Sequence, residues 1–149
     1  MAWHDPKNVL QGVRDGVERL LRSRLCASTP AQHGFLAGLV GDKGWLSEYR
    51  EVIRDRLEYS LSRIESIDGI ECQAPSGAFY LFVRITDPNL SIDDKKFVLD
   101  LLHEKHVLLV HGSGFSPEMG KGHFRMVCLP EIELLSEAFD RIEDFINGK

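Results

Sequence analysis

The sequence predicts an α/β chain of the α+β-like kind: a three- to four-stranded sheet with helices on one face, preceded by a helical arm and a long connector helix. Three observations predict it. Helical start signals and helical spacing fill the chain up to Ser66, the period changes after Ile70, and 149 residues suffice for one compact domain with an added arm. The expected boundaries are 1–41 for the arm, 42–68 for the connector and 69–149 for the sheet domain.

Asp5-Pro6 can open the first helix, with the carboxylate as N-cap and proline at the first helical position. Leu10, Val13, Val17, Leu20 and Leu21 follow at helical spacing, weakened by Gly12 and Gly16. Ser28-Thr29-Pro30 repeats the start signal, and a short apolar helix should run from Pro30 to Val40 and stop at Gly41. The longest periodic segment covers Trp45 to Ser66, with a stripe of Leu46, Tyr49, Ile53, Leu57, Leu61 and Ile64, and Asp68-Gly69 ends it. Nothing in the sequence supplies a sheet for the first 41 residues to cover, so they should belong to something larger.

Beyond Ile70, the turn signal Pro75-Ser76-Gly77 precedes a strand from Ala78 to Ile85, rich in aromatic and branched residues. Asp87-Pro88-Asn89 closes it. Ser91 to Lys105 reads as an amphipathic helix with Phe97, Val98, Leu101 and Leu102 inward. A short buried strand over 107–110 leads into the loop His111-Gly112-Ser113-Gly114-Phe115, and a further strand covers His123 to Leu129. Pro130-Glu131 opens the last helix, with Leu134, Leu135, Ala138, Ile142 and Phe145 as its stripe.

Composition narrows the function. A hydrophobic fraction of 43% with 28% charged residues excludes disordered, collagenous and coiled-coil classes. The net charge of −5 offers no electrostatic reason for a nucleic-acid or acidic-membrane partner. The densest basic stretch, Arg14 to Arg24, alternates with Asp15 and Glu18 as a solvated helix face does. Cys26, Cys72 and Cys128 lie far apart without CxxC spacing, which favours buried thiols in a reducing compartment over a disulfide framework or a zinc site. No apolar stretch approaches bilayer length, and Met1-Ala2-Trp3-His4-Asp5 has no basic-then-apolar leader layout, so a cytoplasmic location is expected.

Two features bear on chemistry. Gly112-Ser113-Gly114 lacks the GK[ST] ending of a Walker loop and the full GxGxxG, so by itself it reads as a tight turn that needs glycine for positive φ. Arg125 shares a strand face with Val127 and Leu129. A guanidinium among apolar neighbours calls for an anion, and its planar fork suits a carboxylate bidentately, but local sequence alone favours an internal salt bridge or a solvent-facing edge position. His103 and His106 are three apart at a helix end and do not form HExxH, while His111 and His123 flank the glycine loop without an accompanying carboxylate or cysteine. Hydrogen-bonded strand-end roles are expected for that last pair, and no metal site is assigned.

Thr29-Pro30-Ala31-Gln32, Pro75-Ser76-Gly77-Ala78-Phe79-Tyr80, His111-Gly112-Ser113-Gly114-Phe115 and Gly122-His123-Phe124-Arg125, in that order and spacing, resemble the C-terminal third of class I/II pyridoxal-phosphate-dependent aminotransferases, nearest to the alanine aminotransferase-like subgroup. The resemblance covers essentially the whole chain. It implies that Arg125 binds the substrate α-carboxylate. It also implies that Gly112, Gly114 and Phe115 belong to a loop near the active-site entrance, and that Gly77, Ala78 and Phe79 start a strand that moves toward the cofactor on closure. The arm would then be the tail of a large domain and the Trp45–Ser66 helix the link between domains. The implied activity moves an amino group between an amino acid, alanine or aspartate first among them, and a 2-oxo acid, in a homodimer with pyridoxal phosphate.

The family's Schiff-base lysine lies upstream of these segments in a serine/threonine-containing turn. None of Lys7, Lys43, Lys95, Lys96, Lys105, Lys121 and Lys149 resembles it, so this chain alone is expected to be inactive and to hold no covalently bound cofactor. An alternative parent is a transcription regulator that carries an aminotransferase-like effector domain. The bare apolar faces of the arm are expected to pair with a second copy.

Overall fold

The computed structural model describes residues 5–23 and 25–149. The leader-layout reading of 1–4 and the Arg24 end of the basic stretch lie outside the described residues. The chain separates into two compact units, one up to Lys43 and one over Gly44–Lys149.

The first unit holds α1 (Gln11–Ser23) and α2 (Thr29–Val40). The start of α1 corrects the expectation at Asp5-Pro6. The Asp5 carboxylate accepts the N–H groups of Val9 (3.1 Å) and Leu10 (2.8 Å), and Asn8 takes a left-handed φ of 53°. The capping side chain is consumed by this turn, and the helix begins at Gln11, five residues later than the proline signal suggests. In α2, Pro30 occupies the first turn as expected, and the Gly41 N–H closes on the Ala37 carbonyl (2.8 Å).

The second unit begins with the long helix α3 (Gly44–Ser66). Next come β1 (Ile70–Cys72), β2 (Tyr80–Ile85), α4 (Asp94–Lys105), β3 (Val110–His111), β4 (His123–Val127) and α5 (Ile132–Asn147). The four strands form one antiparallel sheet in the order β1-β2-β4-β3. Leu81, Val83 and Ile85 of β2 and Phe124 and Met126 of β4 point into a core completed by Ile64 of α3, Phe97, Val98 and Leu101 of α4, and Phe139, Ile142 and Phe145 of α5. Alternation leaves Tyr80, Phe82, Arg84, Arg125 and Val127 on the opposite face.

Several element bounds differ from the sequence expectation for identifiable reasons. α4 starts at Asp94, not Ser91, because the Asp87 side chain ties the N–H of Asn89 (2.7 Å) into a turn and Asp93 then caps the Lys96 N–H (2.9 Å). Residues 107–109 bury Val107 and Leu109 but stay outside the ladder, since His106 leaves α4 in a left-handed conformation (φ 58°) and pairing begins only at Val110 opposite Arg125. β1 is the strand the sequence did not single out; its Glu71 lies opposite Arg84, and their side chains pair at 2.9 Å. On α5 the buried stripe includes Phe139 (0% exposed), whereas Leu134 is 58% exposed. Of the three thiols only Cys128 is buried; Cys72 is half-buried and Cys26 exposed.

Candidate functional site

The open face of the sheet carries the candidate site. Arg125 sits on β4, an interior strand between β2 and β3, which removes the edge-strand explanation for it. Its Cζ lies 4.7 Å from the centre of the Tyr80 ring and 4.4 Å from that of Phe115. Both distances fall within the range where the negative faces of aromatic rings attract a cation. The Nε atom is buried and makes no hydrogen bond, and among the described residues no carboxylate pairs with the guanidinium. A buried donor without an acceptor costs on the order of 1–3 kcal/mol.

The ring over Arg125 belongs to the glycine loop. A 3-10 turn covers Gly112–Gly114, and Phe115 closes it with its N–H on the Gly112 carbonyl (2.9 Å). The glycines here do not have positive φ, which corrects the reading of the turn. They are needed for close approach. A Cβ on Gly112 would meet the Gly120 carbonyl and lie 2.8 Å from the Cβ of His123, and one on Gly114 would lie 2.8 Å from the His111 ring. The loop is tied from a third side, where the buried Asp94 carboxylate accepts the Ser113 N–H at 2.7 Å. His111 contributes through Nδ1 and the Ser113 hydroxyl (3.0 Å), and His123 through Nδ1 and the Lys121 carbonyl (2.9 Å).

The structure thus brings Arg125 and Phe115 together, with Gly112 and Gly114 shaping the loop between them. Gly77, Ala78 and Phe79 enter only through their neighbour Tyr80. Ala78 holds a left-handed φ of 64° just before β2, and the Phe79 ring lies 4.5 Å from the Tyr80 ring. Sequence reasoning did not single out Tyr80 as a neighbour of Arg125, nor Asp94 as an anchor. Around them, His123 stacks on Phe82 (5.0 Å between centres), and Phe115 meets Phe82 edge-on (6.3 Å). Among the described residues no group of three or more metal-ligating side chains comes together, and no helix is long and apolar enough to cross a membrane.

Comparison with known proteins gives this geometry a context. Residues 10–142 match the family described as aminotransferase class I and II. The chain is 37% identical over 156 residues to the glutamate-pyruvate aminotransferase AlaA of Haemophilus influenzae, a match covering 99% of this chain and 37% of that protein. Among solved structures it resembles an alanine aminotransferase from Pyrococcus furiosus, with a TM-score of 0.80 and 49% identity over 97% of this chain and 36% of that one. An aspartate aminotransferase from Thermotoga maritima gives a TM-score of 0.71 at 35% identity, over 92% of this chain and 34% of that one. The chain therefore spans little more than a third of the length of these relatives. By the extent of these matches, from the arm through the last helix, it belongs to the class I and II aminotransferase family.

Proposed function

We propose that the Gly44–Lys149 unit supplies the substrate-carboxylate site of an aminotransferase, with Arg125 as the group that binds the α-carboxylate. The observation that carries this reading is the buried, unpaired Nε of a guanidinium in contact with both the Tyr80 and Phe115 rings. The two ring contacts restrict the guanidinium, and the edge of its planar fork suits two parallel hydrogen bonds to a carboxylate. Clamping the carboxylate orients the Cα–H bond of the amino acid, and orientation of this kind lowers a barrier without touching the bond that breaks. The amino acids named for its relatives favour alanine or glutamate with pyruvate as the oxo acid, and aspartate next.

The side chains gathered here do not fit pyridoxal phosphate itself. The aldehyde of that cofactor needs a lysine amine, and no lysine lies on a strand of the sheet. Lys96, Lys105 and Lys149 are engaged with Asp100, Asp144 and Glu104, and Lys95 and Lys121 are exposed on α4 and in the turn before β4. The cofactor chemistry and the dimer contacts would come from the remaining length that the relatives possess. The test is kinetic. In a polypeptide of the relatives' full length, Arg125→Ala should lower kcat/KM for amino acids by about a hundredfold, a few kcal/mol of lost charge-assisted pairing, while the lysine–cofactor absorbance stays. Unchanged kinetics toward every amino acid tested would remove Arg125 from the site.

A further inference from the structure

The Asp94 carboxylate is buried, yet its helix does not need it. Asp93 already caps α4 by accepting the Lys96 N–H, so the position after it is free of that duty. Nor does a lysine or arginine pair with Asp94 among the described residues. What it does hold is the Ser113 N–H at 2.7 Å, in the middle of the 3-10 turn whose next residue but one is Phe115. Its other ties are one bond between His111 Nδ1 and the Ser113 hydroxyl (3.0 Å) and close packing, with Gly112 against Gly120 and Gly114 against the His111 ring. A charge-assisted bond from a buried carboxylate to a backbone N–H is among the stronger hydrogen bonds a loop can have.

We propose that Asp94 is a positioning residue for the carboxylate site: by fixing the turn at Ser113 it keeps the Phe115 ring over Arg125, and with it the plane of the guanidinium. The inference rests on Arg125 being the carboxylate-binding group. Without the anchor the turn relaxes, Phe115 leaves its place 4.4 Å above Cζ, and the fork loses one of its two aromatic walls. Asparagine at 94 retains an acceptor oxygen and should retain the geometry. Alanine does not.

The experiment is a titration of the 149-residue chain with L-alanine and with pyruvate, followed by NMR at the Arg125 Nε–Hε resonance, which the two ring faces should shift upfield. In Asp94→Ala that shift should fall toward the value in Phe115→Leu and the Kd should rise at least fivefold, while Asp94→Asn stays within twofold of the parent. Ser113→Pro removes the same hydrogen bond from its other end and should match Asp94→Ala. A parent chain that binds neither probe contradicts the reading of Arg125, and the Nε–Hε shift alone then decides the role of Asp94. Binding with both shift and Kd unchanged in Asp94→Ala overturns the positioning role and leaves Arg125 in place. Loss of folding in both Asp94→Ala and Ser113→Pro also overturns it, since the bond would then serve the core and not the loop.

Discussion

Arg125 and Phe115 meet across the mouth of the glycine loop, with the guanidinium carbon 4.4 Å from the centre of the ring. They come from different elements, a sheet strand and the residue closing a 3-10 turn, so their contact depends on every bond that sets the turn against the sheet. Close glycine approaches do part of that work, and they can be broken singly.

Gly112→Ala should destabilise the loop. The added methyl would run into the Gly120 carbonyl and the backbone of His123, neither of which is the movable end of a side chain. Overpacking of this sort costs about 1–3 kcal/mol. Thermal unfolding of the variant, and the Arg125 Nε–Hε shift, check it; a melting temperature equal to the parent's would contradict the close packing.

The thiols should differ sharply. Burial pushes Cys128 above the usual thiol range, opposed in part by its bond to Ser60, and burial also raises Cys72. A folded-state pKa above the unfolded one gives stability that is intact below the unfolded value and is lost as pH rises above it, because only the unfolded chain then releases the proton. Stability should therefore hold up to about pH 8.5 and decline beyond it. Urea unfolding across pH 7–10 measures this, and Cys128→Ala should flatten the decline. Under native conditions Cys26 should react first with a thiol reagent, and modification of Cys128 ahead of it would contradict the burial.

The arm should associate. No residue of α1 or α2 is buried, and α2 is apolar on nearly every side, with Phe35 70% exposed. A helix hydrophobic all round belongs inside something, and a few hundred Å² of bare apolar surface is worth several kcal/mol when covered, at roughly 25 cal/mol per Å². Sedimentation of the full chain should show self-association that a shortened chain beginning at Gly44 lacks. Equal behaviour of the two would clear the arm of responsibility.

Much of this was legible in the residues, and the gaps have physical causes. Long periodic segments such as α3 and α4 announced themselves, as did the alternation that turned Arg125 away from Phe124 and Met126. The starts of α1 and α4 did not: Asp5 closes a turn where it could have capped a helix, and Ser91 lies in the turn that precedes the cap at Asp93. β1 was too short to show a period. The Tyr80 wall and the Asp94 anchor depend on strand register and on a bond between residues 19 apart, neither of which local pattern encodes.

The carboxylate itself provides the decisive measurement. Titrating the 149-residue chain with L-alanine should move the Arg125 Nε–Hε resonance downfield with a Kd on the order of 1–10 mM, as befits one charge-assisted pair without its enclosing partner domain. Arg125→Lys should abolish saturable binding, because a point charge cannot reproduce the fork, while leaving the fold intact. An Nε–Hε resonance that ignores the ligand, or a lysine variant that binds as tightly as the parent, would contradict the assignment of Arg125 as the carboxylate anchor.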